Sequence, residues 1–253
     1  MTRPMMKPAR AALGVLSLLL AGAAAAQFGG PPPPAGPARE VAPIDLTGQW
    51  VAIVTEDWRY RMMTPPPRDI EGNVPLTPAG RAIFDSWDPA ADEAQGSECK
   101  AYGVGGIMRI PSRIRISWRD DSTLEIQTDA GRQTRVLHFG DIPQAAGEPT
   151  LQGVSKAEWL LHRRGREVAN GTMKVVTTGM TEGYVRKGGL PYSTSAVVTE
   201  YFDVLEHPDG STWLVVKTIV DDPVYWTDQW IVSSSFRRQS DRSGWDPAPC
   251  AVR

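Results

Sequence analysis

Residues 113–139 read RIRISWRDDSTLEIQTDAGRQTRVLHF, and their hydrophobic period is two. Ile114, Ile116 and Trp118 alternate with Arg113, Arg115, Ser117 and Arg119, while Leu124, Ile126 and Thr128 alternate with Glu125 and Gln127. Side chains that change face at every residue belong to half-buried strands; a helix would instead group positions three and four apart. Asp120-Asp121-Ser122 and Asp129-Ala130-Gly131 carry turn chemistry, so neighbouring arms read as hairpins.

The pattern continues outward. Strand-like runs follow at 132–139, 157–162, 173–178, 196–204, 212–220 and 228–237, rich in Val, Ile, Thr, Trp and Tyr. Asn170-Gly171, Gly188-Gly189 and Pro208-Asp209-Gly210 punctuate them. Eight or more strands predict an all-β chain folded as an antiparallel up-and-down β-barrel. One short helix is expected over Thr77–Asp85, capped by Thr77, with Pro78 at its first position and Ile83 and Phe84 toward the core. Around it, 65–75 and 88–106 read as long loops, and Gly103-Val104-Gly105-Gly106 as a flexible one.

Ahead of the strands lies an address. Arg3, Lys7 and Arg10 form a basic segment, residues 11–20 a short apolar run, and Ala24-Ala25-Ala26 a cleavage site before Gln27. This is the layout of a secretory signal peptide over 1–26. The apolar stretch is too short and too rich in Ala and Gly for a stable membrane anchor. Residues 27–43, dominated by Gly, Pro and Ala, read as a disordered leader, and 44–253 as a single domain. The protein is expected to be exported, periplasmic or secreted.

Composition excludes several classes. The 253 residues carry 27 Lys+Arg against 29 Asp+Glu, and loss of Arg3, Lys7 and Arg10 takes the net charge from -2 to -5, with no footprint for nucleic acid. With 2 Cys and 3 isolated His, no metal site and no cofactor is implied. In an oxidising compartment Cys99 and Cys250 read as one disulfide; two free thiols, one of them a nucleophile, are the alternative. Gly-x-Ser-x-Gly, His-Glu-x-x-His and Walker-type patterns are absent from the sequence.

The first strand opens Asp45-Leu46-Thr47-Gly48-Gln49-Trp50, and Gly48-Gln49-Trp50 resembles the lipocalin (calycin) signature. The resemblance implies a ligand-binding barrel whose base is closed by Trp50 against a late basic residue, Arg237 or Arg238. The segments 127–140, 183–203 and 245–250 also resemble a type of exported bacterial protein, a likeness that implies no activity.

The remaining chemistry is aromatic and cationic. The candidate ligand-binding residues are Trp118, Arg135, Trp159, Arg186, Tyr192, Trp226 and Trp230, suited to a small apolar or aromatic molecule in an internal pocket. Glu200 falls between Val198 and Phe202 on an apolar face, so it must pair or be neutralised; Arg135, Arg186 or a tyrosine hydroxyl are candidate partners. The alternative function is a cofactor-independent lyase, isomerase or hydrolase using His138, Glu200 and Tyr184 as acid–base groups. The mature protein is expected to begin at Gln27 when its intact mass is read after export; a mass that retains 1–26 contradicts the cleavage site.

Overall fold

The computed structural model describes residues 36–62, 74–142, 147–165 and 167–253. Residues 1–26, read above as a signal peptide, and most of the expected leader therefore lie outside the described residues. Nine strands close into a barrel: β1 (Gly48–Ile53), β2 (Arg113–Trp118), β3 (Thr123–Thr128), β4 (Thr134–Phe139), β5 (Val154–Arg164), β6 (Glu167–Thr178), β9 (Val197–Glu206), β10 (Thr212–Asp221) and β11 (Trp230–Gln239). Two short strands, β7 (Gly183–Arg186) and β8 (Leu190–Tyr192), pair separately between β6 and β9.

Around the barrel the order is β1-β11-β10-β9-β6-β5-β4-β3-β2. Every neighbouring pair is antiparallel except β4 and β5, where Leu137, His138 and Phe139 face Ser155, Lys156 and Ala157 in parallel. The barrel is thus mixed rather than purely up-and-down. A tight turn can only reverse the chain, whereas residues 140–153 are long enough to return it to the start of a parallel neighbour.

The inward face of each strand follows the period of two. Ile114 and Ile116, Leu124 and Ile126, Met173 and Val175, Leu214 and Val216, and Phe236 are all buried in one cluster. Two 3-10 turns, Glu98–Tyr102 and Ile107–Arg109, plug one end, the mouth, with Ala101, Tyr102, Ile107 and Met108 in the same cluster. At the other end, the base, Trp118, Phe139 and Trp159 stack in a row, with ring centroids 5.5 and 5.1 Å apart. Residues 36–43, assigned to the leader by composition, fold over this base. Trp159 Nε1 donates to Ala38 O at 2.9 Å, Arg39 N donates to Asp121 O at 3.0 Å, and Val41 and Ala42 pack on the core.

Among the described residues three helices are present rather than one: α1 (Trp58–Arg61), α2 (Pro78–Asp85) and α3 (Pro89–Ala94). In α2, Thr77 Oγ1 accepts from Gly80 N at 3.1 Å and Pro78 opens the first turn, as expected. Phe84 is buried but Ile83 is 41% exposed, since adjacent helical residues point about 100° apart and one stripe faces the core. Helix α3 begins inside a segment read as a loop; Asp88 Oδ1 accepts from Ala90 N at 2.9 Å ahead of Pro89, the same start signal as in α2. The glycine cluster at 103–106 is buried packing rather than a flexible loop: a Cβ at Gly103 would sit 2.2 Å from the Tyr192 hydroxyl.

Cys99 and Cys250 form a disulfide, with Cα atoms 5.1 Å apart, that ties the tail to the plug. Beside it, Tyr102 Oη donates to Ala251 O at 3.3 Å and accepts from Ala251 N at 3.2 Å. The bond closes a loop of 151 residues. Replacing both cysteines by serine is expected to lower unfolding free energy by up to about 5 kcal/mol, read from urea denaturation midpoints. The oxidised wild type should show no reactive thiol when denatured without reductant.

Candidate functional site

The mouth of the barrel carries a cleft of about 360 Å³. It is assembled from several places in the chain, among them Tyr102 of the first 3-10 turn and Ala130. After β1 the backbone turns at Asp57, whose φ of 55° is a left-handed conformation that Asp tolerates better than most residues. That turn starts α1 and directs Tyr60 and Arg61 inward, and both are buried. The second 3-10 turn contributes Arg109, followed by Ile110 and Pro111. The end of β7 brings Arg186 and Lys187, and the disulfide-anchored tail brings Arg253.

Arg61 and Arg109 interlock. Arg61 Nε donates to the Arg109 carbonyl at 2.9 Å and Arg61 Nη1 to Glu56 at 2.6 Å, while Arg109 Nη2 donates to Asp57 at 2.7 Å. These bonds do not use up the donors. Arg61 Nη2, Arg109 Nε and Nη1, and the Tyr60 hydroxyl are buried with no hydrogen-bond partner among the described residues. Burial holds the Arg61 guanidinium below its usual range; Glu56 pulls it up and neighbouring Arg109 pushes it further down. The walls are aromatic as well as cationic: the Arg186 guanidinium lies 4.0 Å from the Tyr60 ring centre, and Lys187 Nζ 5.3 Å from that of Tyr102.

Of the ligand-binding residues expected from sequence, Arg186 reaches this cleft and the others do not line it. Arg135 is inside the barrel, fully buried and bidentate with Glu200: Nη1 donates to Oε1 at 3.0 Å and Nη2 to Oε2. Tyr192 is buried under the glycine cluster, where loss of hydration pushes its hydroxyl pKa upward. Trp226 Nε1 donates to Pro191 O at 2.8 Å, and its ring lies 5.4 Å from that of Trp230, over which Arg109 sits at 5.8 Å. Trp118 and Trp159 belong to the base row.

The expected acid–base set is not brought together. Glu200 is committed to Arg135 in the interior. On β4 the inward face is Arg135 and Leu137, so Val136 and His138 turn outward and line a separate cleft with Thr134 and Gly153. Tyr184 donates to Asp92 at 2.9 Å; burial and that carboxylate push its pKa upward. Asp92 also receives Trp87 Nε1 at 3.0 Å and Lys100 Nζ at 3.3 Å, which makes it a structural hub. Among the described residues no group of three or more His, Cys, Asp or Glu could hold a metal.

Tyr60, Arg61, Tyr102 and Arg109 escaped the sequence reading. The one available signal was Trp58-Arg59-Tyr60-Arg61, where aromatic and cationic residues alternate directly after the first strand. What the fold and the site define is a closed mixed β-barrel with a cationic, tyrosine-walled cleft at its mouth. Comparison of the chain with protein-family models, curated proteins and solved structures found no match.

The interior ion pair generates a stability prediction. Glu200→Ala leaves a buried guanidinium unpaired and is expected to cost about 3–5 kcal/mol in urea unfolding. Combining Arg135→Met with Glu200→Leu should recover most of that loss, because the charge and its partner leave together.

Proposed function

We propose that this is an exported binding protein that holds a small molecule with an aromatic or apolar body at the mouth of the barrel. The observation that carries the reading is the mouth cleft: its volume of about 360 Å³ falls within the span of small-ligand sites, roughly 300–1,000 Å³. Tyr60, Tyr102, Met62, Ile110 and Pro111 supply flat and apolar walls, and polar groups converge from several elements. The reading moves the ligand from an internal pocket to the mouth, since the barrel interior is taken up by side chains such as Trp50, Phe202 and Phe236. Binding is favoured over catalysis because His138, Glu200 and Tyr184 have separate, already satisfied or outward-facing positions. Export is supported by the signal-like segment and by the disulfide. Among the described residues no helix is long and apolar enough to cross a membrane.

Native mass spectrometry of the mature, oxidised protein with a pool of aromatic metabolites tests this directly. A non-covalent adduct is expected, lost in Ile110→Trp, which fills the mouth, and kept in Val136→Trp, which fills the outer cleft of β4. An adduct indifferent to Ile110→Trp places the ligand elsewhere.

A further inference from the structure

We infer that the ligand of the mouth cleft is an oxyanion: the aromatic or apolar body ends in a carboxylate or phosphate monoester gripped by Arg61 and Arg109. The inference rests on the binding reading above and adds the chemistry of the ligand's polar end.

Three observations point the same way. First, the unsatisfied groups at the cleft are of one kind. Arg61 Nη2 and Arg109 Nε and Nη1 can only donate, and the Tyr60 hydroxyl can donate as well. A buried donor without an acceptor carries a desolvation cost of about 1–3 kcal/mol, more when charged, so several at one place call for a ligand rich in acceptors. Second, the lining is cationic. Arg61, Arg109 and Lys187 line the cleft together with Arg186, and among the described residues Glu56 pairs with Arg61 and Asp57 with Arg109. Third, the guanidinium forks are already held in place. Arg61 is fixed by the Arg109 carbonyl and Glu56, and Arg109 by Asp57, which holds the remaining N–H groups in place beside the cleft. Charged N–H donors held by two arginines suit the several oxygens of a carboxylate or phosphate, and little side-chain entropy remains to be lost on binding.

This arrangement differs from the other arginine of the interior. Arg135 has its own carboxylate, Glu200, and none of the clefts described above reaches it. Arg135 spends both Nη groups on Glu200 and keeps Nε alone without a partner, whereas Arg61 and Arg109 together leave three guanidinium nitrogens without one.

The test is calorimetric titration of the mature, oxidised wild type with benzoate, phenyl phosphate, benzyl alcohol and inorganic phosphate. Benzoate or phenyl phosphate is expected to bind roughly tenfold or more tightly than benzyl alcohol at low salt, the preference shrinking as salt rises. Whichever of the two binds tighter identifies the acid. In Arg109→Gln and Arg61→Gln variants that keep the wild-type near-ultraviolet dichroism, this preference should fall about tenfold while benzyl alcohol binding is unchanged. Benzyl alcohol binding as tightly as benzoate overturns the oxyanion inference and leaves the binding reading standing. Inorganic phosphate binding as tightly as phenyl phosphate supports the oxyanion and removes the aromatic body. If none of the four probes binds, both the inference and the reading fall.

Discussion

The pairing of β1 with β11 is the constraint on which the rest of the molecule depends. These strands are the two ends of the sheet order, and five residue pairs from Gln49 with Gln239 to Ile53 with Ser235 join them. Without that seam the sheet would expose two edges of unpaired amide and carbonyl groups. Trp50 fastens it from within. Its ring is fully buried, its Nε1 donates to Leu46 O at 2.9 Å, and the Arg238 guanidinium lies 4.5 Å from the ring centre while reaching Asp45 at 3.0 Å. A slip of one residue would turn Trp50 outward, so the register is strongly specified. Because Ile53 ends opposite Ser235, the residues that follow it (Glu56, Asp57, Tyr60 and Arg61) emerge at the mouth and nowhere else.

Closure also decides where a ligand can go. Small barrels have interiors that side chains can fill, and here large aromatic residues, Met173 and the Arg135–Glu200 pair occupy the inward positions. The plug residues Ile107 and Met108 join that core, so the chain that covers the mouth is bound to it by apolar contact. Immediately beyond the plug the lining changes from mostly apolar side chains to cationic ones. Arg109 marks that boundary: its turn is anchored by Ile107 in the core, and its guanidinium stands among unpaired donors.

Sequence reasoning succeeded where one physical rule was enough. The strict alternation of Ile114, Ile116, Leu124 and Ile126 revealed β2 and β3 because only one face of each is buried. Two cysteines left one intramolecular pairing to consider, and Glu200 between Val198 and Phe202 announced its need for a partner, which is Arg135. It failed where the same pattern serves two structures. A period of two does not distinguish a parallel neighbour from an antiparallel one, so the β4–β5 pairing was invisible. Alternation on β4 could be read with either face inward, and Val136 and His138 turned out to be the outer one. The mouth cleft was hidden for a different reason. Helix α1 has four residues, too few to display a helical period, and a linear reading treats arginines such as Arg61 and Arg109 as solvated when both are buried.

The disulfide has a consequence for biogenesis. Cys99 leaves the ribosome long before Cys250, and the chain has 2 cysteines. A monomer can therefore be oxidised in one way only, and every intramolecularly oxidised chain carries the native bond. Oxidative folding requires an oxidant but no shuffling of wrong pairs. The hazard is intermolecular instead: while Cys99 waits, the thiols open to it are those of other chains, so protein concentration, rather than mispairing within the molecule, governs the risk of a wrong bond.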